Sequence, residues 1–161
     1  MDTADKSTSR VDSAGDVLSG KLKDLLAQKE KGGIQVDSDC IVAAAAIKMR
    51  GNKLGALMVL ENDTLVGIFT ERDLMSRVVA EGLDPEKVKV SETMTSSIAT
   101  VPPETPIREA ANLMSQNRIR HLPVLQDGKL YGVISTGDIL AWKLREQEFT
   151  LHQLEDYFFK S

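Results

Sequence analysis

Apolar positions recur in two matching sets along the chain. Ile107, Ala110, Ala111 and Met114 follow a helical period, and Pro106 stands at a favoured first helical position. Arg120–Leu125 and Leu130–Ser135 read as strands joined by the turn dipeptide Asp127-Gly128, a hairpin signal. Ala99–Val101 reads as a short strand ended by Pro102 and Pro103, and a helix is expected from about Gly137. The first half repeats this order. Gln35 and Val36 form a strand, Ser38 is a plausible helix cap, and Ile41–Met49 is helical. Ala56–Leu60 and Leu65–Thr70 form a hairpin turning at Asn62-Asp63, and Glu71 to about Glu81 is helical.

An offset of 65 residues lays Ile34–Asp73 over Ala99–Asp138 without a gap. Val36 falls on Val101, Met49 on Met114, Leu57 on Leu122, Val59 on Val124, Gly67 on Gly132 and Asp73 on Asp138. The expected fold is α/β (α+β): two β-α-β-β-α repeats packed as one pseudo-two-fold module. Residues 16–88 form the first repeat, 89–161 the second, and 1–15, polar and without an apolar core, a disordered tail. Two segments lie outside the repeat. Val17–Lys29 carries Leu18, Leu22, Leu25 and Leu26 on one helical face. The last helix runs on past the repeat, with Leu144, Leu151 and Phe158 spaced by seven beside Trp142, Phe149 and Phe159. This tail either packs on its own module or serves as a surface for a partner or a second copy.

Composition narrows the function classes. The 161 residues carry a formal net charge of -4, which argues against a duplex nucleic-acid binder. No apolar run approaches the ~20 residues needed to cross a bilayer, so no membrane partner is expected. One cysteine, Cys40, excludes an internal disulfide and fits an intracellular setting, either cytoplasmic or organellar. A mitochondrial or chloroplast location would follow if a transit peptide had been removed. Two histidines are too few for a His-based metal site, the P-loop pattern is absent, and no catalytic set is found.

The chemistry points to two strand-to-helix corners, Gly67–Asp73 and Gly132–Asp138. Each runs Gly, two apolar residues, Thr or Ser, two variable residues, Asp. Backbone N–H groups and a helix N-terminus suit an anion there, and the Asp can accept hydrogen bonds from two ribose hydroxyls. The same Ser/Thr-x-x-Asp also caps a helix, so the pattern alone leaves cap and ribose site open. The halves differ in their cations. Arg72 faces Gly137 across the alignment, while Gly55 and Ala56 face Arg120 and His121. Arg72 would serve a phosphate beside Asp73. Arg120, and His121 when protonated, would serve one beside Asp138. Lys53 and Arg118 add charge nearby.

These corners, with Asn117–Val124 and Val90–Thr95, resemble the CBS (cystathionine β-synthase) domain, and the pair resembles a Bateman module. The resemblance implies a regulatory module rather than an enzyme, with no required cofactor. Its expected ligand is AMP, with ADP, ATP or S-adenosylmethionine as variants, bound in clefts between the repeats. It also implies a homodimer shaped as a flat disc. Carried over by position, Asp73 and Asp138 hold ribose, aided by Thr70 and Ser135, and Thr136 is a further ligand-binding residue. Ile68 and Ile134 lie against adenine, and Arg72, Arg120 and His121 face phosphate. The Asp73 cleft borrows Met94, Thr95 and Ile98, and the Asp138 cleft borrows the chain at and just before Val36. The rival reading is a ligand-independent interaction module that regulates an enzyme, such as a redox protein, through the C-terminal aromatic helix.

Overall fold

The structure is a computed structural model that describes residues 18–29 and 34–159, with side chains up to residue 156. The expected tail at 1–15 lies outside the described residues. Helix α1 (Leu22–Ala27) precedes the first repeat, which comprises β1 (Gln35–Asp37), α2 (Val42–Asn52), β2 (Ala56–Glu61), β3 (Thr64–Thr70) and α3 (Glu71–Asp73). Helix α3 continues directly as a π-helical stretch, Leu74–Val79. After α4 (Val90–Thr93), the second repeat comprises α5 (Ile107–Asn117), β4 (His121–Gln126), β5 (Lys129–Ser135) and α6 (Thr136–Phe159).

The duplication is present in the backbone. In the first repeat β1 runs parallel to β2, pairing Val36 with Val59, and β2 runs antiparallel to β3. In the second, Val101 meets Val124 as one isolated parallel bridge, not the short strand expected, and β4 pairs antiparallel with β5. Both hairpins slip register at the same place, between Val59 and Leu60 and between Val124 and Leu125. Helices α2 and α5 bury equivalent residues, Val42, Ala45, Met49 and Ile107, Ala110, Met114, one stripe at helical spacing. Both end on a non-glycine left-handed residue, Lys53 and Arg118, each at φ 53°. The expected cap Ser38 does not cap α2. It is buried one turn earlier, its N–H donating to the Leu60 carbonyl, and Ile41 stands at the helix start.

Three apolar clusters hold the molecule together. One lies inside the first repeat, around Val42, Leu57, Val59 and Phe69, and also takes Val90 of α4. One lies inside the second repeat, around Ile107, Met114, Leu122 and Ile134, and takes Leu22, Leu25 and Leu26 of α1. The third, Ala56, Met58, Ile68 and Val133 with Ile34 and Ile98 against it, joins the two repeats. The segment preceding each repeat therefore packs on the other one. Burial of the α1 leucines contributes about 1.5–3 kcal/mol each, so α1 is an integral part of the second repeat.

Candidate functional site

At the first corner, β3 hands the chain to α3 at Thr70. The Asp73 N–H donates to Thr70 Oγ1 at 3.1 Å, and the Thr70 N–H donates to Asp73 Oδ2 at 2.9 Å. At the second corner the Asp138 N–H donates to Ser135 Oγ at 3.1 Å, and the Ser135 N–H donates to Asp138 Oδ2 at 2.8 Å. Each Ser/Thr-x-x-Asp is thus a reciprocal cap that satisfies two otherwise orphaned backbone donors. The capping alternative is realised in both halves.

The two carboxylates differ in what else they hold. Asp73 is 5% exposed, and its Oδ1 accepts from Thr95 Oγ1 at 3.2 Å and faces Arg77 Nε at 3.6 Å. Asp138 is more open, with 23% of its side chain exposed, and takes Lys29 Nζ at 2.8 Å. The same ammonium donates to the Val133 carbonyl at 3.0 Å. Burial alone would raise the Asp138 carboxyl, but hydrogen bonds from Lys29 and Ser135 outweigh it and hold the group below its ordinary range. His121 stands at the start of β4 against Gly55. Burial, and then the charge of Lys29, push its imidazole below the usual value, which favours the neutral form. The Cys40 thiol is half-buried and raised by that burial, the property of an inert rather than a reactive cysteine.

The walls come from the segments exchanged between repeats. Thr95 forms a two-bond bridge with Ile68, 2.9 Å in each direction, and Met94 lies on the strand at Gly67. A Cβ at Gly67 would stand 2.9 Å from Met94 Cγ and 3.0 Å from the Thr95 carbonyl, so glycine is required by this close approach. At Gly132 the covering group is Leu26 of α1, whose Cδ2 would stand 2.8 Å from a Cβ. Ile68, Met94, Thr95 and Ile98 thus gather beside Asp73.

Two expected residues lie elsewhere. Ile134 is fully buried in the second-repeat core, because alternate residues of β5 face opposite sides, and Val133 holds the place equivalent to Ile68. Val36 packs on the first-repeat core, paired with Val59, and Ile34 is the residue of that segment that reaches the inter-repeat cluster. Lys29, the closest partner of Asp138, was missed. The 65-residue offset could not have singled it out, because the exchanged segments match with an offset of 68, Leu26 covering Gly132 as Met94 covers Gly67.

Arg72 and Arg120 were expected to serve separate clefts. Both line one open depression of about 540 Å³, together with Arg118, Ser115 and Thr136, on an apolar floor that includes Met114, Ile119 and Ile139. Arg72 comes from the first repeat and the other two arginines from the second. All three are exposed and none is ion-paired among the described residues, whereas Lys21, Lys23, Lys29, Arg77 and Lys89 each face a carboxylate. Among the described residues no His/Cys/Asp/Glu group could hold a metal ion, and no helix is long and apolar enough to cross a membrane.

Comparison with known proteins agrees with this duplicated architecture. The CBS domain family profile matches residues 33–80 and 90–145. The chain is 36% identical over 125 residues to the mitochondrial CBS domain-containing protein CBSX3 of Arabidopsis thaliana, covering 74% of this chain and 61% of that protein. It thus spans less than two thirds of the plant relative's length. A CBS-domain containing protein from Agrobacterium tumefaciens is 32% identical with a TM-score of 0.70, over 76% of this chain and 98% of that one. A hexameric CBS-CP12 protein from bloom-forming cyanobacteria is 32% identical with a TM-score of 0.67, over 76% and 67% of the two chains. With both repeats matched and the fold shared, the chain belongs to the CBS-domain family as a tandem pair.

Proposed function

We propose that the chain is a regulatory module, without catalytic activity of its own, whose ligand is an adenine nucleotide such as AMP, ADP or ATP. The observation that carries this reading is the convergence of Arg72, Arg118 and Arg120 on one depression between the repeats. Three uncompensated guanidinium groups in a chain of net charge -4 suit a phosphate-bearing ligand, since Arg forks match phosphate oxygens. S-adenosylmethionine has no phosphate and is disfavoured by the same charges. The ribose would lie against Asp73 or Asp138, with Thr136 and Ser135 at its edge. At Asp73 its hydroxyls would have to replace Thr95 and Arg77 on Oδ1.

Calorimetric titration with AMP and ATP tests this. Saturable binding is expected, weakened about 100-fold or more in the double variant Arg72→Gln/Arg120→Gln if each lost charged contact costs about 1.5 kcal/mol. Absence of heat at millimolar nucleotide overturns the reading.

A second reading concerns assembly. Leu140, Leu144, Phe149, Leu151 and Leu154 of α6 are all exposed, and so are Met75 and Val79 beside α3. Such a row of apolar side chains suits a second copy or a protein partner. A hexameric relative fits this direction. Light scattering on the full chain, compared with Leu140→Glu/Leu144→Glu, should show a dimer or larger assembly that the variant loses. A monomeric wild type removes the self-assembly reading.

A further inference from the structure

Asp138 is not available as it stands. The ammonium of Lys29 occupies its Oδ2 at 2.8 Å and ties it to the Val133 carbonyl at 3.0 Å. Lys29 enters this site from the end of α1, which is fixed to the second repeat along its length. Trp142 Nε1 donates to the Ser19 carbonyl at 2.9 Å, and Arg145 of α6 donates to Gln28 Oε1 at 2.7 Å. At the first corner the corresponding contacts come from Thr95, whose hydroxyl donates to Asp73 Oδ1 at 3.2 Å and whose N–H donates to the Ile68 carbonyl at 2.9 Å. From the exchanged segments, Asp138 thus receives an ammonium where Asp73 receives a neutral hydroxyl.

We propose that Lys29 is a built-in competitor for the second cleft: its ammonium stands in for the ribose hydroxyls at Asp138, so a nucleotide enters there only by displacing it. This rests on the nucleotide reading above and adds a route by which occupancy is transmitted. Displacement frees the end of α1, whose flanking residues Ser19 and Gln28 are hydrogen-bonded to Trp142 and Arg145 of α6, the helix that also carries the exposed apolar side chains. Occupancy of the cleft is thereby coupled to the surface that would meet a partner. The coupling is reciprocal, so a partner that loosens α1 tightens nucleotide binding by the same factor.

Calorimetric titration of AMP into the full chain, the wild type and Lys29→Met tests the proposal. Methionine keeps an unbranched side chain of similar length and removes the charge. AMP affinity should rise about tenfold or more, since a hydrogen-bonded ion pair no longer has to be broken. The gain should vanish when Asp138→Asn is added, as a double-mutant cycle requires of coupled residues. Gly132→Ala, which pushes Leu26 away and so loosens α1 by another route, should also raise affinity. Circular dichroism and thermal midpoints confirm that each variant is folded before titration. Unchanged or weaker AMP binding in folded Lys29→Met overturns the competitor while leaving the nucleotide reading standing. No AMP binding in any of the proteins overturns both.

Discussion

Lys29 and Thr95, from the two exchanged segments, hold the two corners in corresponding ways: Lys29 Nζ donates to Asp138 and to the Val133 carbonyl, and Thr95 donates its hydroxyl to Asp73 and its N–H to the Ile68 carbonyl. One duplicated frame thus presents an ammonium to one corner aspartate and a neutral hydroxyl to the other. The asymmetry comes from side chains laid on a shared frame, and its consequences can be measured separately from any ligand.

Acid stability is the first. Asp138 has a folded-state pKa below its unfolded value, so its contribution is present above the unfolded carboxylate range, near pH 4, and is lost as pH falls through the lower folded value. His121 is also depressed, and the unfolded chain takes up its proton first, near pH 6.5. Stability should therefore fall in two stages on acidification, below about pH 6.5 and again below about pH 4. Denaturant midpoints measured across pH 3–8 should show His121→Gln flattening the upper stage and Lys29→Met the lower.

The close approaches at the two exchanged segments give a second expectation. Gly67→Ala must move Met94 and the Thr95 backbone, and Gly132→Ala must move Leu26. Overpacking of this kind costs about 1–3 kcal/mol, with Gly67 the more expensive because a carbonyl as well as a flexible side chain is in the way. Gly51 lies within α2 with nothing near its Cβ position, so Gly51→Ala should stabilise by about 0.5–1 kcal/mol. Urea unfolding of the three variants checks the order.

Replacing the corner aspartates is a third. Asp73→Ala removes a cap and the partner of Thr95 and Arg77 from a buried site, whereas Asp138→Ala removes a cap and the partner of Lys29 from a more open one. Loss of a cap costs about 0.5–2 kcal/mol. Asp73→Ala should exceed that, because Thr95 and the backbone N–H of Thr70 are left without their acceptor, and Asp138→Ala should stay nearer it. Thermal unfolding distinguishes the two. It also means that an aspartate-to-alanine pair is a poor test of ligand binding by itself.

The repeat, both hairpins and the helices that bury Met49 and Met114 were legible because each needs only periodicity and turn residues. The α1 stripe of Leu22, Leu25 and Leu26 was legible as a helix, but its destination on the second repeat was not, since a hydrophobic face does not say what covers it. Ser38 was misread because Ser favours a cap and a buried turn equally, and tertiary contact decided. Ile134 was misplaced by one residue in register, which in a strand turns a side chain to the other face, whereas in the segment of Val36 the residue that reaches the inter-repeat cluster is Ile34, two positions earlier. The corner pattern was legible as a motif. That both carboxylates cap in place, and that Arg72 and Arg120 share one depression, depends on how the repeats pack against each other.

The most direct test of the central claim is an isothermal titration of AMP into the full-length wild type and into Arg72→Gln/Arg120→Gln, both verified as folded. The account predicts saturable binding to the wild type and a loss of about 100-fold or more in the variant. Equal affinity in both proteins, or no binding to the wild type at millimolar AMP, would contradict it.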